Sequence, residues 1–196
     1  YPPVLTDLVP VPAEIGRYEV VCTVRDQTGV GMASYSFVVV SDGKITGRVY
    51  HTDEWDKNRK KYNISLFGEE FNQKVSYEEY IAMKAPRKRG TNVFWSGERF
   101  LLSAEVGGAP KRVSVEIPGT GYQTLLTSTG TKNSQGETVY QGELWDRTML
   151  NRWGKNKPQQ VTFRFIAEYE GGVEKTFEET VIVDSTTDYW LLHRLW

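Results

Sequence analysis

Apolar residues fall at every second position along most of this chain, the period of a strand with one buried face. Tyr18, Val20, Cys22 and Val24 form the first such run. Asp26-Gln27-Thr28-Gly29 supplies turn chemistry, and Ala33, Tyr35, Phe37 and Val39 resume the alternation. The pattern predicts a β-hairpin in which Cys22 is a buried small hydrophobe. After Asp42-Gly43 the alternation returns in Ile45, Gly47 and Val49, in Phe100, Leu102, Ala104 and Val106, and in Val113, Val115 and Ile117. Tyr122 to Thr127 and Glu137 to Leu144 predict a further strand pair around a polar loop, Ser128 to Gly136. Val161, Phe163, Phe165, Ala167 and Tyr169 alternate up to a Glu170-Gly171-Gly172 turn, and Phe177 to Val183 runs back.

The period changes in few places. Trp55, Arg59 and Tyr62 stand at i, i+4 and i+7, with Thr52 or Asp53 available as a cap and acids ahead of bases. This predicts a helix near 53–62. Tyr77 to Met83 and Trp145 to Trp153 each read as a helical turn. Tyr1 to Pro12 carries Pro2, Pro3, Pro10 and Pro12 and is expected to be extended. Its apolar residues Val4, Leu5, Leu8, Val9 and Val11 suit docking on a sheet edge, and Tyr1-Pro2-Pro3 reads as a mature or trimmed end.

Gly16, Tyr18, Val20, Val24, Asp26 and Gly29 form a G-x-Y-x-V-x-x-x-V-x-D-x-x-G stretch ahead of an alternating strand. Over residues 16–40 the chain therefore resembles the last two strands of bacterial immunoglobulin-like domains of cell-surface proteins. In that resemblance Tyr18 is the corner tyrosine. A full domain of this class needs roughly 80–100 residues. Residues 1–42 therefore hold an extended segment plus a partial immunoglobulin-like hairpin. Its missing strands are absent, supplied by the sheet that follows, or supplied by another chain.

A second set of stretches is denser in polar and aromatic residues. These are His51-Thr52-Asp53-Glu54-Trp55 with Arg59, Phe94-Trp95-Ser96-Gly97-Glu98, and Tyr189-Trp190-Leu191-Leu192-His193-Arg194-Leu195-Trp196. They resemble an uncharacterised C-terminal module of surface and secreted proteins of Gram-positive spore-forming bacteria. The resemblance covers about residues 44–196 and implies an extracellular location without implying an activity. The expected fold class is all-β, with immunoglobulin-like β-sandwich modules and one or two short helices. Residues 43–196 are expected to form a β-sandwich domain carrying the helix near 53–62. One larger sandwich over both parts is the alternative.

Composition removes several function classes. The 196 residues carry 24 Lys+Arg against 25 Asp+Glu, a formal net charge of -1, so no nucleic-acid partner is expected. The basic run Lys57 to Lys61 and the loop Arg87 to Arg89 are balanced by nearby acids and read as solvated surface. No apolar run approaches the roughly 20 residues of a membrane span. A single cysteine excludes an intrachain disulfide, and the two histidines lie in no metal-ligand spacing, so neither a metal nor another cofactor is expected.

The remaining chemistry is sparse. His51, Asp53, Trp55, Arg59, Glu98, His193 and Arg194 form a candidate structural constellation. In it Glu98 pairs with Arg59 or Arg194, and the histidines bond to carboxylate or backbone. The competing reading makes Asp53, Glu54 and Glu98 the paired acids of a glycan-acting hydrolase. Aromatics make up 13% of the chain. Trp95, Trp145 and Trp153 are the candidates for stacking on sugars in a carbohydrate-binding module; otherwise these rings fill the core. No G-x-S-x-G, P-loop or dinucleotide motif is present. The sequence therefore leads to an expected non-catalytic structural or adhesive protein of the cell surface. Its partners are copies of itself or other surface modules, with a glycan as the alternative ligand.

Overall fold

In the computed structural model of the chain, the residues described are 16–25, 27–39, 43–51, 73–83, 90–96, 98–144 and 156–188. They form an all-β sandwich with one short helix and a separate hairpin. The expected helix near 53–62, the turn at Trp145 to Trp153 and the boundary residue Asp42 lie outside the described residues.

The hairpin is β1 (Gly16–Arg25) and β2 (Val30–Val39), a two-stranded antiparallel sheet that joins neither sheet of the sandwich. The sandwich is built from β3 (Ile45–Tyr50), β4 (Val93–Ser96), β5 (Phe100–Val106), β6 (Arg112–Ile117) and β7 (Tyr122–Leu125). It is completed by β8 (Thr127–Lys132), β9 (Thr138–Leu144), β10 (Gln159–Glu168) and β11 (Glu174–Asp188). One sheet has the order β4-β11-β10-β6-β7 and the other β3-β5-β9-β8.

The alternating apolar residues meet between these two layers, as the period of two requires. Phe100, Leu102, Ala104 and Val106 of β5 face Val113, Val115 and Ile117 of β6 and Val161, Phe163, Phe165 and Ala167 of β10, all buried. Phe94, Phe100 and Phe163 form a chain of rings with centroids 4.6 and 5.1 Å apart. Gly47 leaves room for this layer: a Cβ there would stand 2.4 Å from the Phe165 ring. Tyr169 closes one end of the core, its hydroxyl donating to the Gly107 carbonyl at 2.7 Å.

Two features depart from the alternation reading. The expected strand pair across Ser128 to Gly136 is replaced by a change of sheet at Leu126. β7 pairs with β6, whereas β8 pairs with β9. Leu126 turns into the core, 6% exposed, and its amide donates to the Val113 carbonyl at 2.9 Å. A short polar strand at a sheet edge needs no apolar face, so Thr127–Lys132 carries no alternation to be read. The second departure is β4, which lies parallel to β11 with Val93 opposite Ile182, Phe94 opposite Val183 and Trp95 opposite Asp184. Such a long-range parallel pair leaves no local turn signal.

Candidate functional site

Helix α1 (Tyr77–Ala82) begins at Ser76, which forms a capping box with Glu79: the Glu79 amide donates to Ser76 Oγ and the Ser76 amide to Glu79 Oε2. Asn92 fixes the approach to the helix by accepting from the Val75 amide and donating to the Val75 carbonyl, both at 2.9 Å. The helix packs on the outer face of the β4-β11 pair. There Tyr80, Val93, Trp95 and Ile182 form a second apolar cluster.

A buried polar network runs through this cluster. Trp95 Nε1 donates to the Tyr80 hydroxyl at 3.1 Å, and that hydroxyl donates to Asp184 Oδ2 at 2.8 Å. The Thr186 amide and Oγ1 both donate to Asp184 Oδ1. Through the Trp95 backbone the network reaches Glu98, because the Trp95 amide donates to Glu98 Oε2 at 2.6 Å. Glu98 Oε1 lies 3.5 Å from His51 Nδ1, and the His51 ring stacks on Phe94 with centroids 4.2 Å apart. Tyr80, Asp184 and His51 are fully buried, Glu98 is 1% exposed and Trp95 2%. Buried polar groups of this kind persist only when hydrogen-bonded.

Of the sequence-predicted constellation, the structure brings His51 and Glu98 together. Asp53, Trp55, Arg59, His193 and Arg194 lie outside the described residues, as do Val4, Leu5, Leu8, Val9, Val11, Trp145 and Trp153. Trp95 corrects the sugar-stacking expectation at that position: both faces of its ring are buried between helix and sheet, leaving none for a ligand. Glu98 is likewise enclosed and held by a backbone amide, so its carboxylate offers no open face to a glycosidic bond. Tyr80 and Asp184 were missed by sequence reasoning. The two bond to each other across 104 positions of chain, beyond the reach of any local pattern.

The open part of the same sheet face is a shallow polar surface. Arg164 bridges Glu178 at 2.9 Å and Glu116 at 3.0 Å, its partners in the two neighbouring strands. The two carboxylates raise the Arg164 pKa above its ordinary value. Gln123, Glu168 and Thr176 extend this surface. Among the described residues no three His, Cys, Asp or Glu side chains converge as a metal site would require, and no helix is long and apolar enough to cross a membrane.

The hairpin has the opposite character. Its register sets Tyr18 opposite Phe37, Val20 opposite Tyr35, Cys22 opposite Ala33 and Val24 opposite Gly31. Opposed residues share a face, so one side of the hairpin is a continuous apolar surface. Val24 is 54% exposed and Tyr35 72%. Cys22 is exposed too, contrary to expectation, because no second layer among the described residues covers that face. The hairpin meets the sandwich near Gly171, where a Cβ would stand 2.8 Å from the Val38 side chain. Gly171 also has φ +74°, a conformation suited to glycine. No protein-family model matches the chain, and no curated protein matches it.

Proposed function

We propose that this chain is a non-catalytic structural or adhesive module of the bacterial cell surface that works by assembling with copies of itself. The hairpin carries the reading. A two-stranded sheet is marginal in water by itself. Here its strands are ten residues each, and one face is apolar and open. Such a surface is stabilised by gaining strands or a covering layer. The resemblances to immunoglobulin-like surface domains and to a C-terminal surface module supply the extracellular setting. Val4, Leu5, Leu8, Val9 and Val11 are the proposed donor strand, added to a neighbour's open edge in a head-to-tail contact that grows into a filament.

Light scattering and negative-stain imaging of the purified chain test this. The expected result is a particle heavier than one chain, with filament growth lost on deletion of residues 1–11. A protein that stays one chain in mass across the accessible concentration range overturns the proposal. Unchanged filaments from the truncated chain remove the donor-strand role of residues 4–11.

A further inference from the structure

The edges of the sandwich and of the hairpin are built differently. In the sandwich, edge strands β4 and β7 are four residues long, edge strand β8 breaks register between Ser128 and Lys132, and edge strand β3 is six residues long and carries Arg48. Short and irregular edges of this kind resist pairing with another chain. The hairpin has no such protection. Strand β2 runs ten residues, Val-Gly-Met-Ala-Ser-Tyr-Ser-Phe-Val-Val, with no charge and no proline. Among the described residues it pairs with β1 alone. Strand β1 carries Arg17, Glu19 and Arg25, so charge guards one side of the hairpin only. A long, regular, uncharged edge is the kind that templates pairing.

We infer that β2 is a homotypic docking edge, pairing antiparallel with β2 of a second copy to give a four-stranded sheet β1-β2-β2-β1 about a two-fold axis. The inference deepens the assembly reading and rests on it. The sequence of β2 fits itself. Both apolar faces must lie on the same side, which restricts the registers because a one-residue slip turns a strand over. With Tyr35 opposite its own copy on the axis, Ala33 meets Phe37 and Gly31 meets Val39. Small residues then stand against large ones on the apolar face, and Ser34 meets Ser36 on the polar face. No register brings like charges together, because β2 has none. The contact is isologous and closes at two copies, whereas donor-strand addition is head-to-tail and continues.

Cysteine cross-linking in the full-length chain tests the pairing. In a Cys22→Ser background, Tyr35→Cys places a thiol beside its symmetry mate, within disulfide reach. Wild-type Cys22, on β1, would be separated from its mate by three strand spacings across the sheet, about 14 Å, and four residues along it, about 13 Å, hence about 20 Å in all, which is too far to bridge. The expected result is a two-chain band from Tyr35→Cys and none from Cys22. Adding Ser34→Lys and Ser36→Lys, which set lysines opposite one another on the polar face, slows cross-linking about tenfold. The sandwich core is untouched by these changes, so circular dichroism should show the fold retained. A two-chain band from Cys22 overturns the edge pairing in favour of face-to-face packing. Assembly seen by light scattering but insensitive to the lysine pair, with no Tyr35→Cys band, overturns the pairing and leaves the assembly reading standing. A monomer at every concentration overturns both.

Discussion

Replacing Tyr80 with phenylalanine isolates the buried network, because it removes one oxygen and keeps the ring that fills the helix–sheet seam. That oxygen accepts from Trp95 Nε1 at 3.1 Å and donates to Asp184 Oδ2 at 2.8 Å. All three side chains are at most 2% exposed, so water does not readily replace it. A net hydrogen bond contributes about 1 kcal/mol between neutral groups and about 1.5–3 kcal/mol to a charged one. The two bonds together predict a loss of about 2–4 kcal/mol. The lower part of that range is favoured because Asp184 keeps its bonds from Thr186. Urea denaturation followed by Trp fluorescence reads the effect. With a slope of about 2 kcal/mol/M the midpoint should fall by about 1–2 M with the slope unchanged. Tyr77→Phe is the matched control, since Tyr77 donates a single part-buried bond to the Pro158 carbonyl. It should cost about 1 kcal/mol. If Tyr80→Phe shifts the midpoint no more than the control does, the network does not hold α1 to the sheet and the reasoning fails.

Two further outcomes follow from the core. Gly47→Ala puts a Cβ 2.4 Å from the Phe165 ring and should destabilise the sandwich by about 1–3 kcal/mol, read as a lower denaturation midpoint; wild-type stability would mean the two layers can separate at this point. Burial, with a smaller contribution from Tyr140, raises the pKa of Tyr169 above 10. The unfolded chain ionises first, so this group's contribution is complete below about pH 10 and is lost as pH rises through its folded pKa. Denaturation midpoints between pH 8 and 12 should therefore fall at the alkaline end, and Tyr169→Phe should reduce that fall; an unchanged alkaline slope would remove Tyr169 as its source.

The alternation of apolar residues determined the strands by itself. β3, β5, β6, β10 and β11 lie where Ile45, Phe100, Val113, Val161 and Phe177 begin their runs, and Tyr77–Ala82 is a helix. Strand period and capping are local properties, written within a few residues of one another. Local pattern also placed His51 and Glu98 among the residues worth watching, and the fold set them 3.5 Å apart. Only the tertiary structure decided that the chain changes sheets at Leu126, that β4 runs parallel to β11, and that Tyr80, Trp95 and Asp184 share one buried network. It also decided that Trp95 is sealed, filling the helix–sheet seam and not a sugar site, and that Cys22 is open, the reverse of its expected burial. An alternating strand specifies which residues share a face. Whether that face is covered depends on which other layer packs against it, and that information is spread over the whole chain.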